Sequence, residues 1–575
     1  MIADVMSAKK PLNVVLFWHM HQPEYRDLVS GEYQLPWTYL HTMKDYVDMA
    51  AHLESVPEAR AVVNFAPVLL DQINDYANQL HGYLKDAAAL RDPLLAALDE
   101  PALPVRREQR LDLIKACLRA NKERLIDPYP AYKRLVDIAE WLDDKPEAVM
   151  YMGEQFLSDL LVWYHLVWLG ETVRRSDIRV KRLMDKGISF SLHDRRELLE
   201  IIADSVCGVI ARYRALAERG QVELSVNPYA HPIVPLMSDL ACAREAMPDV
   251  ALPLLQQYPG GEERARQHIE QGVASFQRYF GFKPSGCWPS EGGISTATLK
   301  LFSEAGFRWT ASGGGVLHNS LKASGKVYGI SREQQLYRPY RVEDGGDIAC
   351  FFRDDGLADL IGFTYATWHG DDAVNNLVNH LEAIDNACTD GGDYLVPIIL
   401  DGENAWEYYP NNGYYFLNAL YNRLVEHPRV RLTTFSEYLN GGGQVSSLPR
   451  LVAGSWVYGT FSTWIGDKDK NRAWDILGDA KRAFDKAVAT GHLMGEHREA
   501  AERQLAVCEG SDWFWWFGDY NPSGTVLDFE RLYRLHLANL YHMMGEEPPG
   551  YLTQTISHGG GSPQHGGTMR SGQAG

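Results

Sequence analysis

Short apolar runs rich in β-branched and aromatic residues recur along the chain, separated by stretches with helical spacing. The first is Val14 to His21; the others are Ala61 to Phe65, Val222 to Val226, Pro284 to Trp288, Phe307 to Ala311, Ile348 to Arg353, Tyr394 to Asp401 and Val430 to Thr434. Helical patterns lie between several of them, as in Gly261 to Phe280 and Ala373 to Cys388. Strands that alternate with helices predict an α/β fold with a parallel sheet, either closed as a barrel or open and doubly wound. Polar residues stand at the ends of these runs: His21, Asn227, Glu291, Ser312, Asp354 and Asp401. Sites in parallel α/β folds gather at the carboxyl ends of strands, so this placement predicts one shared cleft.

The chain has 575 residues, enough for two or three cores. Residues 85–220 read as helical, with Leu111, Ile114, Cys117 and Leu118 at helical spacing and a strand-like stretch only at Ile188 to Leu192. They are expected to form an insertion in the barrel, as a lid or cleft wall. A catalytic unit over 1–440 containing that insertion, a helical C-terminal domain over 441–555 and a disordered Gly-, Ser- and His-rich tail over 556–575 complete the expected organisation.

A formal net charge of -19 and the lack of a dense basic stripe argue against a nucleic-acid partner. A neutral polymer suits the charge better. The 15 Trp and 30 Tyr lean towards sugar, whose apolar ring faces stack on aromatic planes, although core packing accounts for many of them. Seven Cys stand singly with no CxxC pair, which argues against a disulfide framework and a zinc-finger-type site and fits a reducing compartment. Lys9 and Lys10 precede a short apolar run, Leu12 to Trp18, that leads into His19 with no small-residue cleavage site. No stretch is apolar enough to span a bilayer, so the expected setting is the cytoplasm, with no membrane partner.

Three segments carry candidate chemistry. His19-Met20-His21 ends a strand, and side chains two apart on a strand share a face; the pair reads as metal ligands, as sugar-hydroxyl binders or as a structural pair. In Cys287-Trp288-Pro289-Ser290-Glu291-Gly292-Gly293 the glycines let the backbone turn sharply and carry the carboxylate into a cleft, with Trp288 as a possible sugar platform. In Ile398-Ile399-Leu400-Asp401-Gly402-Glu403-Asn404-Ala405-Trp406-Glu407 a carboxylate leaves an apolar strand partly desolvated, which raises its pKa and suits a general acid. Later aromatic clusters, Gly454-Ser455-Trp456 through Trp464 and Ser511 to Gly518, are too polar for plain helix cores and read as segments folding back onto the cleft.

Taken together, these motifs resemble glycoside hydrolase family 57, and within it the catalytic part of the amylopullulanase-like group, from His19 to about Gly518. His19-Met20-His21-Gln22-Pro23 is similar to the family's first region. Gly220-Gln221-Val222-Glu223, leading to His231-Pro232-Ile233, is similar to the second. The segments at Glu291, Asp401 and Ser511 to Gly518 are similar to the third, fourth and fifth. The resemblance implies an incomplete (β/α)7 barrel with a helical C-terminal domain completing the cleft. It implies α-glucan substrates, retention through a covalent glycosyl-enzyme, and no essential metal or other cofactor. Glu291 would be the nucleophile and Asp401 the general acid/base. The expected substrate-binding set is His19, His21, Glu223, His231, Trp288, Asp354, Trp406, Trp456, Trp464, Asp512 and Trp513. Hydrolysis of α-1,4 bonds, with α-1,6 bonds as an extension, in glycogen, maltodextrin, starch or pullulan is the leading expectation. A 4-α-glucanotransferase or branching enzyme shares the same pair. A metal-dependent α-mannosidase or deacetylase is disfavoured because Gln-Pro follows the His pair where such barrels place an Asp. A catalytically dead glycan-binding protein is disfavoured because both carboxylates are present.

Overall fold

The computed structural model describes residues 10–325, 331–561 and 568–570. Ten strands join in one sheet: β1 Leu12–Met20, β2 Ala61–Phe65, β3 Val222–Val226, β4 Gly286–Cys287, β5 Trp309–Gly313, β6 Tyr340–Val342, β7 Ala349–Arg353, β8 Leu395–Asp401, β9 Val430–Leu432 and β10 Ser446–Leu448. Seven of them, in the order β7-β5-β4-β3-β2-β1-β8, run parallel and curl into a barrel. β1 is buried throughout, as its predominantly apolar sequence suits in a strand covered on both faces.

The barrel is incomplete between β7 and β8, where no ladder forms. Successive seam-facing residues of β8 are instead met one at a time. Leu395 N–H donates to the Tyr337 carbonyl at 2.9 Å, the Pro397 carbonyl accepts from Asp354 N–H at 3.0 Å, and the Ile399 carbonyl accepts from the Arg353 guanidinium at 3.4 Å. Pro397 has no N–H to offer a ladder, so an open seam is where it belongs. β6 and β10 extend the sheet beyond β7, and β9 lies beside the start of β1.

Aromatic residues fill the barrel from the amino end. Phe17, Trp309, Phe351 and Phe435 interlock, with ring centroids 4.3 to 6.3 Å apart. Trp288 lies above them, 5.3 Å from Phe17, and His19 is 6.1 Å from Trp288. A close approach explains the shortness of β4: a Cβ on Gly286 would lie 1.9 Å from the Trp309 indole.

Residues between β2 and β3 form helices only. Ile188 to Leu192 is not a strand. It is a loop, left-handed at Ser189, that runs into the helix Leu192–Glu218, whose first turn is closed by a Ser191–Asp194 capping box. After β10 the chain crosses the carboxyl end of the barrel, bridging Gly454 to Ile294. It then forms the helices Lys468–Ala489, Gly495–Cys508, Asp512–Trp516 and Ser523–Met543. Of the tail expected to lack structure, residues 562–567 and 571–575 lie outside the described residues. Among the described residues no helix is long and apolar enough to cross a membrane.

Candidate active site

A cavity of about 260 Å³ opens at the carboxyl ends of β1, β4 and β8 and is roofed by the later helices. His19, His21, His231, Glu291, Asp401, Trp456 and Asp512 all line it, so seven of the expected residues meet in one space. No lining residue comes from 85–220, so the helical insertion is not a wall of this cavity. Thr568 contributes to its rim.

Glu291 reaches the cavity through a strained turn. It adopts φ 58° and ψ 26°, and Gly292 follows at φ 58°. A non-glycine residue in the left-handed region costs on the order of 1 kcal/mol and persists only when its surroundings hold it. Here they do: the Glu291 carbonyl accepts from Trp456 N–H at 3.1 Å, and Ile294 and Gly454 exchange backbone hydrogen bonds just beyond. The Glu291 carboxyl accepts from Ser511 Oγ at 3.0 Å and from Trp456 Nε1 at 3.3 Å. Asp401, the last residue of β8, accepts from Asn404 Nδ2 at 3.1 Å.

Three imidazoles stand as a stack beside Glu291. Centroids of His21 and His231 are 3.8 Å apart with planes 18° from parallel, and His19 and His231 are 5.2 Å apart. Each ring has an outer partner. His19 Nδ1 pairs with Asn64 Oδ1 at 2.6 Å, His21 Nε2 with Asp512 Oδ1 at 2.8 Å, and His231 Nδ1 with Ser511 Oγ at 2.8 Å. His231 is also left-handed, at φ 60°.

Burial dominates the electrostatics. It pushes Glu291 up to about 8, aided by the charges of Asp512 and Asp401 and opposed by the bonds from Ser511 and Trp456. Burial likewise lifts Asp401 to about 6, opposed by Asn404 and the charges of His21 and Arg353. Glu403, buried just behind, is held well above the usual carboxylate range. Burial and the neighbouring His21 lower His19 to about 3, and burial with His21 and His19 holds His231 well below its ordinary value. Those two rings are neutral at physiological pH.

His21, His231 and Asp512 each offer one ligand atom, all within 4.8 Å of one another, so their fit to a metal ion can be tested. Near-parallel rings 3.8 Å apart keep their in-plane lone pairs in separate, nearly parallel planes. A shared ion at the ~2.1 Å of a metal–imidazole bond would sit far outside both ring planes. The trio does not fit a metal; it suits hydroxyl groups.

The other expected residues lie elsewhere. Glu223 is near the amino end of β3, accepting from Trp309 Nε1 at 2.7 Å and from Ser436 N–H at 3.0 Å; it anchors the barrel floor rather than a sugar. Trp288 is fully buried beneath Trp456 and is no platform. Asp354 caps the turn Asp355–Asp359 and accepts from the Tyr337 hydroxyl. Trp406 donates to the Gly402 carbonyl at 2.9 Å and packs on Trp18, which holds the β8 loop from behind. Trp464 packs against Trp515, and Trp513 donates to the Val507 carbonyl and stacks on Tyr533. These indoles serve the core. Trp515 and Trp516 are the members of that cluster on the cavity wall, with Phe529. Ser511, Glu403 and Asn64 were missed as site residues. Ser511 and Glu403 sit inside the motifs already singled out, whereas nothing in the local pattern marks Asn64.

The model of the family described as Glycosyl hydrolase family 57 matches residues 15–449. The 4-alpha-glucanotransferase of Thermococcus litoralis is 24% identical over 257 residues, 44% of this chain and 32% of that protein. The chain thus spans about a third of the length of the curated relatives it matches. Among solved structures, a GH57 branching enzyme from Thermococcus kodakaraensis superposes with a TM-score of 0.55 at 15% identity, covering 93% of this chain and 90% of that one. A novel alpha-amylase from Thermotoga maritima gives 0.52 at 12% identity over 95% and 97%. At such identities the likeness establishes the fold alone.

Proposed function

The chain belongs to glycosyl hydrolase family 57, and from that premise we propose that it is a retaining enzyme of α-glucans with Glu291 as nucleophile and Asp401 as general acid/base. One observation carries the reading. A buried and a half-buried carboxyl from different strand ends line one cavity, and Ser511 and Trp456 both donate hydrogen bonds to the Glu291 carboxyl. Such partners favour the ionised form that attack requires. Glu291 attacks the anomeric carbon while Asp401 protonates the departing glycosidic oxygen. Asp401 then deprotonates the incoming water, and the glycosyl-enzyme is hydrolysed.

Without substrate the proton favours Glu291 over Asp401, the reverse of what the first step needs. The pair passes through a singly protonated state between about 6 and 8, and the reactive arrangement is one tautomer of that state. Positive charge developing on the sugar favours the Glu291 carboxylate. A proton on Asp401 removes one of the negative charges that raise Glu291.

A second reading is transfer to a sugar hydroxyl, favoured by the wall of Trp456, Trp515, Trp516 and Phe529. Such a wall can stack an acceptor sugar and exclude water. The finer amylopullulanase-type reading predicts cleavage of both α-1,4 and α-1,6 bonds. Products from maltoheptaose and from pullulan decide between these. New reducing ends with maltotriose from pullulan establish the hydrolase, whereas redistributed maltoheptaose lengths without new reducing ends establish the transferase. Absence of any change in either glucan overturns the α-glucan reading.

A further inference from the structure

Ser511 touches two groups of the cavity from the far end of the chain. Its Oγ lies 3.0 Å from Glu291 Oε1 and 2.8 Å from His231 Nδ1, and its backbone N–H donates to the His231 carbonyl at 2.9 Å. The side chain is fully buried, so no water competes for these bonds. A hydroxyl has one proton to donate. An ionised Glu291 can only accept, so the Ser511 proton is directed to Oε1. The remaining contact at Nδ1 is then satisfied only if His231 donates to Oγ. His231 is neutral, so a proton on Nδ1 leaves Nε2 bare. Nε2 is indeed buried without a hydrogen-bond partner, on the ring edge away from Ser511, in a side chain that lines the cavity.

We propose that Ser511 is a positioning residue that couples the charge of Glu291 to the tautomer of His231. While Glu291 is a carboxylate, His231 presents a bare nitrogen that accepts from a sugar hydroxyl. When Glu291 is protonated the relay can reverse: Oε1–H donates to Oγ, Oγ–H donates to Nδ1, and the His231 proton moves to Nε2. The cavity would then offer a donor where the sugar needs an acceptor. Sugar binding at His231 and the attacking form of Glu291 are thereby selected together. The coupling is carried by a residue from the helical roof and not by the barrel that bears both partners.

This inference rests on the reading of Glu291 as the nucleophile, and its test separates the two. Neutron diffraction on the full chain, exchanged into deuterated buffer at about pD 9 so that Glu291 is ionised, locates the protons directly. Deuterium on His231 Nδ1 and on Ser511 Oγ toward Glu291, with Nε2 bare, is the expected result. Deuterium on Nε2 overturns the relay whatever the protein's activity. In kinetics on maltoheptaose, Ser511→Ala removes a hydrogen bond to a charged group and should lower kcat/KM by about 10- to 100-fold. It should also move the alkaline limb of the pH profile upward, because that limb, near 8, is where Glu291 ionises and a donor that favours its ionised form is gone. Ser511→Thr, which keeps the hydroxyl, should restore both. A Ser511→Ala profile that coincides with the parent, or equal losses in Ala and Thr, overturns the proposal. Retained turnover in Glu291→Gln would instead strike the nucleophile and leave the neutron result standing.

Discussion

Glu291 is where the backbone of the candidate site is strained. A carboxyl raised from 4.5 to about 8 by burial is most compatible with the folded state when protonated. Its contribution to stability is therefore fully present below pH 4.5 and is lost as pH rises through about 8. Glu291→Gln, neutral at every pH, should abolish nearly all turnover and yet raise Tm. The gain should reach a few kcal/mol at about pH 9 and vanish near pH 5, as thermal unfolding of the two proteins in parallel will show. A Tm gain independent of pH would contradict the burial account. The carboxyl pair makes a second expectation: kcat/KM should follow a bell with limbs near 6 and 8, read from initial rates across pH.

At the level of elements, the loop after β4 is the least tolerant part of the site. A Cβ on Gly292 would meet Trp456 Cβ at 2.9 Å and Trp288 at 3.2 Å, at a φ that other residues resist. Gly292→Ala should shift the carboxylate by a fraction of an ångström and lower kcat by about 100-fold, measured with the same glucan. Glu223→Gln on β3 tests the opposite end of the barrel. It weakens the bonds to Trp309 and Ser436 and should lower Tm while leaving kcat/KM unchanged. The strands that build the site were legible because strands covered on both faces are dominated by apolar, β-branched and aromatic residues. β6 and β10 were not, since neither three-residue strand sits in a longer β-rich stretch, as β9 does in Val430 to Thr434. The indoles divided for a related reason. Trp288, Trp406, Trp464 and Trp513 look the same in sequence as Trp456, Trp515 and Trp516. Only packing decides which rings are enclosed in the core and which have an edge on the cavity wall. The stack of His19, His21 and His231 was half legible: alternation on β1 placed the first two together, whereas His231 joins them only through a left-handed turn over 200 residues away.

At the scale of the whole molecule, a buried ionic knot ties the helical roof to the barrel. Glu509, two residues before Ser511, accepts from Arg264 at 2.5 Å, His268 at 2.8 Å and Tyr258 at 2.6 Å, joining the roof helix Gly495–Cys508 to the barrel helix Gly261–Phe280. Burial alone would raise this carboxyl, but the charge of Arg264 and the bonds from His268 and Arg264 hold it far below the usual range. Its stabilisation is present above pH 4.5 and is lost only in strong acid, opposite in sign to that of Glu291. Glu509→Gln leaves Arg264 buried without an anion, at a cost of about 3–5 kcal/mol. Hydrogen exchange should then show segment 511–516 opening while β1 and β8 stay protected, with activity falling in proportion.

That the roof supplies Ser511, Asp512, Trp515 and Trp516 also sets a clock on the birth of the catalyst. His21 and Asp512, bonded in the finished protein, are 491 residues apart. A ribosome adding about 5–20 residues per second makes the first roughly 25–100 s before the second. Only once Asp401 is made does the emerging polypeptide hold both carboxylates, and until Asp512 follows it has only half a groove to close on a sugar. Chains cut short before residue 511 should therefore turn over no maltoheptaose beside the full chain, so that competence arrives in a single late step of synthesis.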